Sequence, residues 1–350
     1  MKTPLLRRLR RWSRHLARAC AVFGALAVSS GTGAAETLNI GFLPISTHAK
    51  FMIAKEKGFY AQEGLSVELI EFLNSADGLN ALNAHKIDVG AFGTSAPLIH
   101  IAKGANIKVI GGIVSGGSSF IAKPEVAAGI KQVSDFKGKK IATVRLSTVD
   151  AILRTALKDA GLDWKKDVQI FELKSAPAVT EAVKTGQVDI GATWGPHDLR
   201  AEEQGLKVVF HSTDLYPAHV CCRLVVNQEG KSPQVWERFL KAMLRAEKFA
   251  ADNHKETIDI ISKYVKLDKG LLERDFYNAY VDQSTDPYLN GVRKFWDTMQ
   301  QSEFIPPKGD IAPFVDLKLY EAALTSLARE NPKEPFWQKL IKDFKAKNKA

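Results

Sequence analysis

Two matching pairs of hydroxyl residues stand out in this chain: Ser46-Thr47 and, 101 positions further on, Ser147-Thr148. Each pair follows a short apolar run and precedes a segment with apolar residues at helical spacing, which places it in a strand-to-helix turn. Hydroxyls and unpaired backbone N–H groups at such a turn form a seat for an oxyanion; the same residues also serve as plain helix N-caps. A second pair of turns, Thr94-Ser95 and Trp194-Gly-Pro-His197, differs between the copies, and specificity resides where repeats differ. Trp194 offers a face on which a planar ligand can stack, and His197 offers a hydrogen bond or a charge; a space-filling indole and a solvated imidazole are the alternatives. Phe42 and His48 flank the first turn and would close the other side of a flat pocket. Arg145 replaces Pro44 of the first copy, where it pairs with a carboxylate or sulfonate through its forked guanidinium or else lies on the surface. Ser118, in the run Gly116-Gly-Ser-Ser119, joins these candidates for ligand binding.

Cys221 and Cys222 lie side by side in His219-Val-Cys-Cys-Arg223. Consecutive Cα atoms stand about 3.8 Å apart, whereas disulfides prefer about 4.4 to 6.8 Å, so a bridge between neighbours is strained and reducible. Three readings stay open: buried free thiols, a vicinal pair that touches a ligand, and a metal or catalytic role with His219 or His197 as base. Adjacent residues of a strand point to opposite faces, which disfavours joint chelation. Cys221 and Cys222 therefore enter the candidate site as ligand contacts, with no residue assigned to catalysis or to a metal and no cofactor expected.

These residues are positioned by an internal repeat. Lys86-Ile-Asp-Val-Gly-Ala91 reappears as Gln187-Val-Asp-Ile-Gly-Ala192, and at the same offset Val67 to Phe72 falls on Val168 to Leu173 without a gap. Strands are expected at 38–44, 67–72, 87–92 and 108–113, then at 139–144, 168–173, 188–193 and 208–209, alternating with helices. The pattern predicts an α/β chain of two lobes, with mostly parallel sheets, helices on both faces and a ligand cleft between the lobes. Lobe 1 is expected over 36–120 and lobe 2 over 121–218, with a return to lobe 1 and a run of helices over 219–350. The hinge is expected at Ser118 to Lys123 and near His219 to Arg223.

The net charge of +10 is misleading as a guide to partners. Seven of the 49 basic residues, and no acid, lie in the first 35, so the remainder carries 42 basic against 39 acidic residues. Nucleic-acid binding therefore has no electrostatic footprint here. The first 35 residues read as a secretory leader: a basic segment to Arg18, an apolar run Ala19 to Val28, and small residues up to Ala35. Cleavage is expected before Glu36, giving a periplasmic protein. No later stretch reaches the roughly 18 apolar residues of a transmembrane helix.

Ile40-Gly-Phe-Leu-Pro44, Ala54-Lys-Glu-Lys-Gly-Phe-Tyr60, Glu63-Gly-Leu65, Asp88-Val-Gly90 and Asp135-Phe-Lys-Gly-Lys-Lys-Ile141 together resemble the periplasmic substrate-binding proteins of the nitrate, sulfonate and taurine ABC importers. That superfamily also holds thiamine-precursor-binding proteins and yeast thiamine-pyrimidine synthase. The resemblance spans most of residues 38 to about 260. It implies the two-lobed type II periplasmic-binding-protein fold and a monomeric, hinge-closing receptor. Such a receptor hands a small anionic or planar heteroaromatic molecule to an ABC permease. It also keeps in view an enzyme on the same fold, desulfinase-like or thiamine-pyrimidine-synthase-like, acting through Cys221 or Cys222. A sensory domain built the same way is a further alternative.

Overall fold

The computed structural model describes residues 35–217 and 219–349. The leader, apart from Ala35, lies outside them. No helix among the described residues is long and apolar enough to cross a membrane.

Among the described residues, eleven strands form two sheets. The first contains β1 (Glu36–Phe42), β2 (Leu65–Glu71), β3 (Val89–Gly93), β4 (Ile107–Gly116), β10 (Val220–Asn227) and β11 (Val281–Asp282), in the order β11-β4-β10-β3-β1-β2. The second contains β5 (Ser118–Ala122), β6 (Lys140–Val144), β7 (Gln169–Leu173), β8 (Ile190–Trp194) and β9 (Lys207–His211), in the order β7-β6-β8-β5-β9. The fold is thus the two-lobed α/β arrangement expected. Its parallel pairings are those of the repeat, β1 with β2 and β3, and β6 with β7 and β8. The strands added outside the repeat, β4, β5, β9, β10 and β11, pair antiparallel, so each sheet is mixed.

The repeat extends to the register of the strands. Ile40 lies opposite Val89 and Gly41 opposite Gly90; 101 positions on, Ile141 lies opposite Ile190 and Ala142 opposite Gly191. The duplicated aspartates explain why. Asp88 donates its N–H to Asn39 O at 2.9 Å and takes the Asn39 N–H on its Oδ2 at 2.7 Å. Asp189 does the same with Lys140 at 2.8 Å. Each carboxylate pins the start of a central strand to its neighbour, which is a structural task.

The capping residues follow the repeat only in part. Asn74 and Ser175 cap the helices Ser75–Asn83 and Ala176–Thr185 at equivalent places. Ser147 caps the helix Thr148–Asp159, whereas Ser46 falls inside a short 3-10 turn, Ser46–His48, and caps nothing.

The chain passes from the first sheet to the second at Gly116-Gly117, between β4 and β5. It returns between β9 and β10. The crossing thus precedes the expected hinge and the expected 120/121 boundary, because Ser118–Ala122 already pairs with β8 and β9. Gly116 and Gly117 have φ of +74° and +79°, and a Cβ on Gly116 would lie 2.0 Å from the carbonyl oxygen of Tyr280. Only glycine serves at that point.

Beyond β10 the chain is mainly helical. The helix Pro233–Asp252 buries Val235, Trp236, Phe239, Leu240, Met243 and Leu244, a stripe at i, i+3, i+4 spacing that packs against the helices Ala49–Glu56 and Leu317–Glu330. The helix Leu289–Gln301 departs from the expectation that this tail serves the first lobe alone. It contacts the helix Thr148–Asp159, and the Trp164 indole donates to Ser302 O at 3.3 Å.

Candidate functional site

The strand ends and helix starts of both sheets meet at a cavity of about 30 Å³, room for about two water molecules. Its lining includes Leu43, Ile45, Thr47, Ser75 and Gly93 from the first sheet's turns, Ser147, Thr148, Val149, Trp194 and Gly195 from the second, and Val114, Gly116, Gly117, Ser118, Cys221 and Cys222 at the crossings. Among the described residues, the walls are apolar or hydroxylated and carry no ionisable acid or base apart from the two thiols. Thr148 and Val149 begin a helix of 12 residues and Ser75 begins the helix Ser75–Asn83, so the positive ends of their dipoles are favourable seats for negative charge.

Hydrogen bonds cross the cleft around this cavity. The Thr148 hydroxyl donates to Cys221 O at 2.7 Å. Within the first sheet, Thr94 supplies two more bonds to that same oxygen, from its N–H at 2.7 Å and from its hydroxyl at 3.0 Å. The Ser95 hydroxyl donates to Leu146 O at 2.7 Å. The Thr148 and Ser95 bonds tie one sheet to the other across the cleft, which is a closed clamshell.

Thr47, Ser118, Ser147, Thr148, Trp194, Cys221 and Cys222 therefore line one cavity. Trp194, one of the lining residues, carries a buried indole N–H with no hydrogen-bond partner among the described residues. Ser147 is both a lining residue and a cap, since its Oγ accepts the Asp150 N–H at 3.3 Å.

The other candidates lie elsewhere. Phe42 packs in the core of the first sheet. Thr94 and Ser95 stand just behind the lining; Thr94 spends its hydroxyl on Cys221 O within the first sheet, and Ser95 spends its own on the cross-cleft bond to Leu146 O. His48 is wholly buried; its Nδ1 accepts the Leu43 N–H at 3.2 Å, and burial, with nearby Lys50, pushes its pKa down to about 3. Ser46 donates to the Asp275 carboxylate.

Arg145 does not line this cavity. Its side chain is 71% exposed and 3.9 Å from Glu172, on a groove at the outer edge of the cleft shared with Asn74, His100 and Lys103 of the first lobe. A residue at a strand end turns outward as readily as inward, and here the turn Leu146-Ser147 carries it out. His197 likewise opens a helix at a surface groove with Lys184 and Arg200; burial lowers its pKa to about 4. It meets Trp194 only edge-on, with ring centroids 6.2 Å apart.

Both cysteines are free and buried, with Sγ atoms 3.8 Å apart. The expectation that they point to opposite faces fails because β10 carries register shifts against β4 between Val220 and Cys222 and again between Cys222 and Arg223. The bulge turns both side chains to the cavity. The bond between the thiols holds Cys221 below the ordinary thiol range and lifts Cys222 above it, with burial adding to the rise.

The guanidinium of buried Arg223 closes the far side, donating to Cys222 O at 2.7 Å, Val114 O at 3.1 Å and Ser115 Oγ at 2.9 Å. His219, offered by the sequence as a base for these thiols, pairs its Nε2 with Ser212 Oγ at 2.7 Å. Burial pushes its pKa down to about 4.

Asp275 was not legible in the sequence. It lies 229 positions from Ser46, on the helix Lys269–Phe276. A Cβ on Gly195 would fall 1.8 Å from its Oδ1. One carboxyl thus touches the turn of each lobe. Burial, reinforced by Asp198, pushes its pKa up to about 7.

Comparison with known proteins places this geometry in a family. A protein of Escherichia coli K12 named for binding aliphatic sulfonates is 32% identical over 310 residues, 83% of this chain and 93% of that one. Among solved structures, the periplasmic nitrate-binding protein NrtA from Synechocystis PCC 6803 superposes with a TM-score of 0.74 at 17% identity, over 85% of this chain and 91% of that one. The periplasmic aliphatic sulphonate binding protein SsuA from Escherichia coli gives 0.68 at 23%, over 80% and 92%. The family model described as NMT1/THI5 like matches residues 45–257, and with the bilobed fold and this relative the chain belongs to the NMT1/THI5-like family.

Proposed function

We propose that the chain is the extracytoplasmic solute-binding receptor of an ABC importer. In this reading it works as a periplasmic monomer, not an enzyme, and its lobes close on a small molecule that is then presented to a permease. The observation that carries the reading is the cavity itself. Its lining comes from both sheets, and the hydroxyls of Thr148 and Ser95 bridge the cleft beside it. The lobes are assigned to residues 36–116 with the return from 220 onward, and to 118–215.

The chemistry of the walls limits the ligand. With Arg145 turned outward, an anion would be met by the N-termini of the helices Ser75–Asn83 and Thr148–Asp159, by the hydroxyls of Thr47, Ser118 and Ser147, and by the Trp194 N–H. That suits a single negative charge or none, because each helix end compensates about half a unit charge. The relative and the solved structures named for sulfonate and nitrate support a small oxyanion. Trp194 supports a planar group beside it. The closed cavity is small, so binding requires the lobes to open first, by hinge motion at Gly116-Gly117 and at the return before β10.

A thermal-shift screen of residues 36–350 against nitrate, alkanesulfonates, carboxylates, thiamine-related pyrimidines and uncharged oxyacids tests the reading. A ligand that binds the folded state raises the melting temperature by mass action. The expected result is a rise with one of these classes and recovery of that compound unchanged. No rise with any of them, or recovery of an altered compound, would overturn it.

A further inference from the structure

We propose that Cys221 and Cys222 form a two-thiol site for trivalent arsenic, taken up as the neutral molecule arsenous acid. The proposal rests on the reading of this cavity as the ligand cleft and names a substrate class for it. Three observations converge. First, the bulge in β10 brings two consecutive thiols, which an ordinary strand would separate, into one buried cavity 3.8 Å apart. Two sulfurs at that distance are the bite of a centre with bonds of ~2.3 Å at an angle of about 110°. A three-coordinate pyramidal centre needs a further closure of only a few tenths of an ångström. A disulfide between neighbours is strained in the backbone, so the geometry suits a bridging atom better than a direct bond.

Second, these two thiols are the only soft donors that line the cavity, and among the described residues they belong to no larger cluster of His, Cys, Asp or Glu. A centre that demands four protein ligands finds two here. Arsenic(III) takes two sulfurs and keeps one oxygen of its own. Third, the rest of the lining matches that remaining As–OH. It is uncharged and hydroxylated by Thr47, Ser118, Ser147 and Thr148, and the space is that of one or two waters. Arg223, on the far side of the pair, favours sulfur carrying negative charge during exchange.

The reaction is a condensation without change of oxidation state. Two S–H bonds and two As–OH bonds break, two As–S bonds form, and the two protons leave with the two hydroxides as two molecules of water.

The test is equilibrium dialysis of reduced residues 36–350 against arsenous acid, with arsenic counted by elemental mass spectrometry and As–S bonds followed by near-ultraviolet difference absorption. The expected result is one arsenic per chain. Cys221→Ser and Cys222→Ser should each weaken uptake about 100-fold or more, the order lost when an intramolecular second bond is removed. Melting of the unloaded variants, followed by circular dichroism, shows that they are folded. Absence of uptake by the parent chain, equal uptake by the double serine variant, or equal uptake by either single variant would each overturn the two-thiol site.

Failure of the two readings is separable. If a sulfonate or pyrimidine raises the melting temperature while arsenous acid does not bind, the receptor reading stands and the arsenic site falls. If arsenic binds to both thiols but an organic ligand bound elsewhere leaves its affinity unchanged, the cleft placement on which the proposal rests falls.

Discussion

Asp275 offers the sharpest test of the geometry, because it requires no knowledge of the ligand. Its carboxyl titrates near 3.8 when unburied and is pushed up to about 7 by burial between the turns of the two lobes. A carboxyl held above its unfolded value favours the fold fully below that unfolded value, and the contribution is lost as pH rises through the folded one. Between about pH 4 and pH 7, at ~1.36 kcal/mol per pH unit, the loss comes to roughly 4 kcal/mol. Asp275→Asn removes the titration and keeps an oxygen for the Ser46 hydroxyl. Variant and parent should therefore be equally stable near pH 4, with the variant drawing ahead by up to roughly 4 kcal/mol at pH 8. In a thermal melt this is a gap on the order of 5–10 °C. The assay is urea or thermal unfolding of both proteins from pH 4 to 8. Other buried groups act on both alike: Asp150, raised to about 6 by burial, adds the same sign, and His48, His197 and His219, all lowered, the opposite. A difference between the two proteins that does not change with pH would refute the argument, since it would mean that Asp275 is ionised at neutral pH.

Four further outcomes are expected. Trp194→Ala and Ser147→Ala should each weaken binding of the ligand found in the screen about 10-fold without unfolding the chain, the order of one to two kcal/mol for a lost contact or hydrogen bond; unchanged dissociation constants for both, by calorimetry, would remove these residues from the site. Arg145→Ala should leave that dissociation constant within about twofold, as befits an exposed side chain, and a large loss would return the arginine to the binding site. Asp88→Ala and Asp189→Ala should each cost about 1 to 3 kcal/mol in urea unfolding, the range for a hydrogen bond to a charged group, with ligand affinity retained. Gly116→Ala should be destabilising by a few kcal/mol, because it combines a positive φ with a Cβ driven onto Tyr280 O; a variant as stable as the parent would show that the crossing relaxes freely.

The chain's own residues determined most of its architecture. Local periodicity placed the strands and helices within a few residues, since alternation and 3.6-residue spacing are properties of neighbouring residues. The 101-residue offset was legible for the same reason: the identical register of Ile40 with Val89 and of Ile141 with Ile190 follows from two copies of one local pattern. Family motifs were spread along enough of the chain to be read directly, and the hydroxyls of Thr47, Ser147 and Thr148 were found because strand-to-helix turns mark the open edge of an α/β sheet.

What only the tertiary structure decided lies where a side chain has a choice of direction or a distant partner. Arg145 and Ser147 are two residues apart, yet one faces solvent and the other the cavity, because the turn between them rotates the chain. Cys221 and Cys222 share a face through a bulge set by pairing with β4, more than a hundred positions away. Ser46, the repeat's counterpart of the cap Ser147, gives its hydroxyl instead to Asp275 on a C-terminal helix that has no copy in the repeat. Direction and long-range pairing arise from packing against residues remote in the chain, and no pattern of neighbours encodes them.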